Sequence, residues 1–266
     1  MVEILEEKCV GCGLCVQDCP MRNLSVADGK AAVRGNCMEC GHCFAVCPSG
    51  AVQITGCPSD GVIELNQERL QVDGDSLLGL IKSRRSIRNF QAKAISHETW
   101  KKVLEAGRFT ASAANNQDVK YTIVQEELDT MKEHLWGGLK EMLSAMKTAQ
   151  GEVNPFVRQF QAMYDIHEKC PENDPLFFNA SAVLIITSAV PLNGGLACSN
   201  IELMAHAEGL GILISGFIQT ILGRNEELCK YLHIEKEKIC ACLLAGYPAV
   251  KYQRSVPRKE ASIQWR

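Results

Sequence analysis

Apolar residues recur along this chain with two different periods. Before residue 57 they alternate: Leu24 and Val26 are matched, 28 residues on, by Val52 and Ile54, the period of short half-buried strands. Asp28-Gly29 predicts a hairpin turn beside the first pair. Beyond residue 75 the spacing becomes helical. Leu77, Leu80 and Ile81 predict a short helix with Ser76 as its cap, and Trp100, Val103, Leu104 and Gly107 a helix capped by Ser96, since a serine oxygen can accept from an otherwise orphaned N–H. Leu128, Met131, Leu135, Leu139, Met142 and Met146 lie along one stripe of a long amphipathic helix, a stripe that reads as core. Residues 182–187 are rich in β-branched residues and predict a buried strand, and the short runs 121–124 and 239–245 predict two more. Residues 149–176, with Asn154-Pro155 and Asp174-Pro175, read as irregular or partly helical. Residues 196–222 are apolar but carry Asn200, Glu202, His206, Glu208 and glycines. Ionisable groups at that density are costly in lipid, so the stretch predicts buried helices, not a membrane span.

The change of period divides the chain. Cys57-Pro58-Ser59-Asp60-Gly61 interrupts the alternation, and the polar run to Gly74 reads as a linker. The expected organisation is a module over 1–57, a linker over 58–74 and a larger domain over 75–266. Composition is that of a globular protein, 46% hydrophobic and 22% charged. A formal net charge of −3 gives no basis for a nucleic-acid or anionic-membrane partner. The first eight residues lack a basic start followed by an apolar run, so no signal peptide is expected.

Cysteine usage changes the picture most. Cys9-x2-Cys12-x2-Cys15-x3-Cys19-Pro20 recurs as Cys37-x2-Cys40-x2-Cys43-x3-Cys47-Pro48, every cysteine and the proline offset by 28. This is the spacing of bacterial two-cluster ferredoxins, in which the fourth cysteine of each run serves the other cluster. Cys9, Cys12, Cys15 and Cys47 are thereby assigned to one [4Fe–4S] cluster, and Cys37, Cys40, Cys43 and Cys19 to the second. Zinc is the competing reading of any C-x2-C pair; four cysteines per run, duplicated and each followed by proline, favour iron–sulfur. Clustered thiolates of this kind point to a reducing, cytoplasmic setting. Cys57, Cys170, Cys198, Cys229, Cys240 and Cys242 show no ligand spacing and read as small hydrophobes.

A second candidate site begins at Arg84-Arg85-Ser86-Ile87-Arg88-Asn89-Phe90, where guanidinium forks and a hydroxyl could grip a phosphate. The pattern Arg-Arg-Ser-x-Arg-x-Phe resembles the opening FMN signature of nitroreductase-like flavoproteins. Asn115-Asn-Gln117, the apolar helix with the turn Ile214-Ser215-Gly216-Phe217, and Gly246-Tyr247-Pro248 with its basic tail resemble that family's later segments, in the same order. The resemblance implies an α+β chain: a ferredoxin-like two-cluster module followed by a three-layer α/β/α FMN domain. It also implies that Arg84, Ser86 and Arg88 hold the phosphate and ribityl chain, and that the Arg85 backbone lies near the flavin. Asn115 and Gln117 would lie along the isoalloxazine, Ser215 and Gly216 would bring a backbone N–H near N5, and Arg258 would complete the phosphate clamp, with Arg254 or Lys259 as substitutes. Asp118 and Val119 replace the proline and aromatic that often follow Asn-x-Gln in the family.

No Gly-x-Gly-x-x-Gly follows a predicted strand, so no Rossmann domain is expected; family members can take hydride from NAD(P)H without one. No catalytic acid is identifiable. The expectation is a homodimeric FMN-dependent oxidoreductase that receives electrons through two [4Fe–4S] clusters, from an external ferredoxin or NAD(P)H, and reduces a small electron-poor acceptor such as a nitroaromatic or quinone. The alternatives are an electron relay serving a partner protein and a specialised FMN reductase such as a reductive dehalogenase.

Overall fold

The computed structural model describes residues 1–57, 61–65, 72–147 and 155–266. Parts of the expected linker, and Asn154, lie outside them. The chain divides into two compact units, one of residues 1–71 with 112–117 and the other of residues 72–111 with 118–266.

In the first unit, β1 (Val2–Ile4) pairs antiparallel with β4 (Val52–Ile54), and β2 (Leu24–Ala27) with β3 (Lys30–Val33). The Asp28-Gly29 hairpin forms as expected, Ala27 facing Lys30 across a two-residue loop whose members both have positive φ, the primed-turn geometry. Two single-turn helices, α1 (Leu14–Gln17) and α2 (His42–Val46), preserve the 28-residue offset. The apolar core consists of little more than Val2, Leu24, Ala31, Ala51 and Val52 packed with Cys9, Cys15 and Cys43. So small a core needs a further cross-link to be stable, and bound metal is one means.

The second unit is built on a four-stranded antiparallel sheet in the order β5 (Lys120–Val124), β6 (Ala182–Thr187), β8 (Ile239–Gly246), β7 (Gly211–Ile214). Both faces are covered, which is why β6 is buried at every position. Val183, Ile185, Cys242 and Leu244 face one layer, which contains α5 (Leu128–Lys147), α6 (Pro155–Lys169), α8 (Gly216–Leu222) and α9 (Glu226–Tyr231). Leu184, Ile186, Leu243 and Ala245 face α4 (His97–Arg108) and α7 (Pro191–Ala207). This is the expected three-layer arrangement. Ser96 caps α4, its hydroxyl accepting from the Thr99 N–H at 3.1 Å.

Two local expectations are corrected. The cap of α3 (Gly74–Ser83) is Asp73, whose carboxylate accepts from the Asp75 and Ser76 N–H groups, so Ser76 lies inside the helix. Within 149–176 the partly helical reading holds, the chain forming α6 over Pro155–Lys169. Within 196–222 the helical reading fails at Gly211–Ile214, which is strand β7. Four apolar residues are too few for periodicity to tell a buried strand from a helix, and pairing with β8 decides. Among the described residues no helix is long and apolar enough to cross a membrane.

Candidate functional site

The eight module cysteines form two sets. Cys9, Cys12, Cys15 and Cys47 line one cavity, and Cys19, Cys37, Cys40 and Cys43 line another. The fourth cysteine of each run therefore crosses to the other set, as the spacing predicts. Among the described residues, no three His, Cys, Asp or Glu side chains stand close enough to hold a metal ion. Each set lines a cavity of its own, and four thiols around one cavity are the donor set that a cubane would take. Backbone N–H groups of Ala31, Asn23, Glu39 and Ala51 donate to the sulfurs of Cys9, Cys19, Cys37 and Cys47, each at 3.3 Å. Such bonds stabilise thiolate charge and help set a cluster's potential. His42 Nδ1 lies 3.1 Å from Cys40 Sγ. Burial pushes the Cys15 and Cys43 thiols up, so holding them as thiolates falls to the metal.

Half of the remaining cysteines behave as buried small apolar residues, whereas Cys57 is exposed and Cys170 and Cys240 are half-buried. Cys198, Cys229 and Cys242 are buried. Burial, with the Glu202 carboxylate adding to it, pushes the Cys198 thiol up to about 11, far from reactive thiolate.

In the second unit the arginine-rich run lies between two other segments singled out in the sequence. Ser86 bridges Ile212 of β7, and the Ile87 N–H donates to the Ile212 carbonyl at 3.0 Å. Phe90 bridges Pro248, and the Gln91 N–H donates to the Tyr247 carbonyl at 2.8 Å. Arg84 and Arg85 line a cleft with Ser83, Glu202, His206, Lys251 and Tyr252. Arg84 Nη1 pairs with Glu202 at 2.5 Å, both side chains being largely buried. Ser83 Oγ gives its only proton to the Leu80 carbonyl at 2.9 Å and lies 2.7 Å from His206 Nε2, so the imidazole must be the donor there. Burial and the Arg84 guanidinium hold His206 below its usual range. The cleft therefore offers two guanidiniums, an ammonium and hydroxyls against one carboxylate that is already engaged, a donor set suited to a phosphate.

Of the other residues expected at the flavin, Arg88, Ser215, Gly216 and Arg258 lie in the second unit. Arg88 is exposed, and Arg258 lies in the exposed irregular tail; neither lines the cleft. Ser215 uses its N–H on the Cys242 carbonyl at 2.8 Å, and its hydroxyl caps α8 by accepting from Ile218. Gly216, first residue of α8, has open space where a side chain would stand, room that a close-lying flavin could use. Asn115 and Gln117 belong to the first unit. Asn115 donates from Nδ2 to the Glu39 carbonyl at 2.9 Å and the Met38 carbonyl at 3.3 Å, while the Gln117 N–H donates to Ser112 Oγ at 3.0 Å. Asp118, which departs from the family pattern, accepts from the Ser188 hydroxyl, the Ala189 N–H and the Asn193 amide.

Residues 81–247 match the nitroreductase family over more than half of the chain. The chain belongs to the nitroreductase family. Residues 1–51 match the 4Fe-4S dicluster domain, the description that the two thiol sets lead one to expect. An FMN-bound nitroreductase from Bacteroides fragilis NCTC 9343 is 19% identical with a TM-score of 0.54, over 71% of this chain and 98% of that one. A second, from Desulfitobacterium hafniense DCB-2 with bound FMN, is 20% identical with a TM-score of 0.52, over 70% and 97%. A BluB-like flavoprotein from Clostridium difficile 630 is 16% identical with a TM-score of 0.51, over 70% and 94%. At these identities the likeness is one of fold. No curated protein matches the sequence. Against the nitroreductase pattern, sequence reasoning missed Glu202, His206 and Lys251. The i, i+4 spacing of Glu202 and His206 on one helix face was the available signal for the first two. Lys251 comes to the cleft only through the path of the chain after Pro248.

Proposed function

We propose that this chain is an FMN-dependent oxidoreductase that collects single electrons on two [4Fe–4S] clusters and delivers them in pairs to an electron-poor organic acceptor, a nitroaromatic or a quinone. The observation that carries this reading is the pair of crossed four-thiol sets in the same chain as a nitroreductase fold. Clusters carry one electron each, whereas FMN, when bound, supplies two-electron chemistry, so their fusion suits a converter. The cysteines of each set hold one cluster, and backbone N–H groups steady their thiolates. Arg84, Arg85 and Lys251 bind the phosphate in the cleft, with Glu202 fixing the direction of the Arg84 fork. Ser86, tied to β7, sets the distance between that cleft and the turn at Gly216. The Gly216 N–H is the donor we assign to the flavin ring. The family resemblance and the exposed apolar side chains of Leu77, Leu78, Leu192 and Leu196 support a homodimer.

The test is anaerobic reduction of purified protein by dithionite, by a reduced ferredoxin and by NAD(P)H in turn, followed by addition of nitroaromatic and quinone acceptors. Bleaching of cluster absorbance with reduced ferredoxin, then reoxidation of the flavin on addition of acceptor, is expected. A protein whose reduced flavin is reoxidised by none of these acceptors is not an acceptor reductase of this class.

A further inference from the structure

The hairpin of the first unit is seated on one of the two cysteine loops. Gly11, between Cys9 and Cys12, is left-handed (φ +68°), and a side chain there would collide with the Gly29 carbonyl. The turn of the hairpin therefore lies directly against that loop. Ala31, on the strand that follows the turn, donates its N–H to Cys9 Sγ at 3.3 Å and lines the cavity of Cys9, Cys12, Cys15 and Cys47. Lys30, between Gly29 and Ala31, sends its ammonium back to the same loop. There Nζ donates to the Cys9 carbonyl and to the Glu6 carbonyl, each at 2.7 Å.

A positive charge is thereby fixed beside one set of thiols. Lys30 is half-buried, whereas the nearby Glu6 and Glu7 are exposed, where water and salt screen their carboxylates. In the repeat, the position 28 residues beyond Lys30 is Pro58, which has no charge to offer. Reduction adds one negative charge to a centre that four thiolates already make negative. A fixed cation close by therefore favours the reduced form and raises the potential. Hydrogen bonds to sulfur act in the same direction, but both sets receive them. Cys9 and Cys47 accept from Ala31 and Ala51, and Cys19 and Cys37 from Asn23 and Glu39. The lysine adds its charge to the first set.

We propose that the Lys30 ammonium raises the potential of the cluster held by Cys9, Cys12, Cys15 and Cys47, and so makes two copies of one loop unequal electron acceptors. In the step concerned, one electron leaves a donor such as dithionite, which is oxidised, and enters the cluster, which is reduced. Lys30 shifts the equilibrium of that step without exchanging a proton or an electron. The inference rests on the two-cluster reading of the cysteine sets and needs no flavin.

The test is a redox titration of full-length holoprotein carrying Lys30→Met, Lys30→Gln, which keeps a donor without the charge, or Lys30→Arg, which keeps both. Dithionite poises the potential. Hyperfine-shifted cysteine protons in the NMR spectrum, assigned to each set, follow the two clusters separately. Met and Gln should each lower the reduction equilibrium constant of the Cys9 cluster about tenfold, which is about 59 mV for a one-electron couple. Arg should keep it, and the other cluster should hold its potential in all three variants. An unmoved potential in Met, or an equal shift of both clusters, overturns the proposal. So does a potential that Met loses and Gln keeps, since Lys30 would then be a tether for the loop. Loss of iron from Met and Gln alike has the same meaning, and a fall in Arg as large as in Met rules out charge as the cause. Failure of the two-cluster reading is separately visible, because the unsubstituted protein would then show no cubane EPR signal on reduction.

Discussion

Asp118 shows how one residue can depart from a family pattern and still have a defined task. Its carboxylate gathers Asn193, Ser188 and the Ala189 N–H, fastening the start of β5 to the end of β6 and the start of α7. Hydrogen bonds from Asn193, and then from Ser188 and Ala189, hold the carboxyl at about 2 against an ordinary 3.8, although burial works the other way. The folded value lies below the unfolded one. The stabilisation is therefore complete above about pH 4 and is lost as pH falls toward 2. Asp118→Ala should lower stability at neutral pH by about 2–3 kcal/mol, the scale of losing hydrogen bonds to a charged acceptor. Between pH 4 and 2, circular-dichroism melts should show the melting temperature of the wild type falling more steeply than that of the variant. Parallel curves would mean that Asp118 carries no such linkage.

Between elements, the packing of α4 on α7 and β5 depends on Gly107. A methyl group there would meet Tyr121 Oη at 2.6 Å and Ile201 Cδ1 at 2.8 Å. Alanine is ordinarily the better helix former by about 1 kcal/mol, but overpacking a full core costs about 1–3 kcal/mol, and here the second effect should win. Gly107→Ala is expected to destabilise by about 1–2 kcal/mol in urea titrations. The Tyr121 hydroxyl is buried and finds no hydrogen-bond partner among the described residues. Tyr121→Phe should therefore be neutral or stabilising by itself and should relieve part of the Gly107→Ala cost. Additive effects of the two substitutions would show that the hydroxyl is not the obstacle.

At the scale of the molecule, the two units differ in what holds them together. The second has two apolar layers on a central sheet, whereas the first has a handful of apolar residues packed among cysteines. Anaerobically prepared protein should contain close to eight iron and eight sulfide per chain, as two cubanes require. Removing the iron with a chelator should abolish amide protection in residues 1–57 while β6 and β8 stay protected, because metal-dependent modules lose their fold with the metal. Retained protection in both units after iron loss would show that the small core suffices.

What the sequence by itself determined follows from local spacing. Cysteines two and three residues apart, duplicated at a fixed offset, dictate which thiols can share a cluster, so the crossed sets of four were readable without coordinates. Strands of six or more residues and helices with a continuous stripe were readable for the same reason, as at Ala182–Thr187 and Leu128–Lys147. Tertiary structure decided wherever the partner of a residue is distant in sequence. Gly211–Ile214 is a strand because β8 offers it an edge. Glu202 pairs with Arg84 because α7 packs beside the arginine run. Asn115 reaches Glu39 across 76 residues of chain. A hydrogen bond of that kind leaves no periodicity behind, since it depends on where two backbones meet and not on the residues between them.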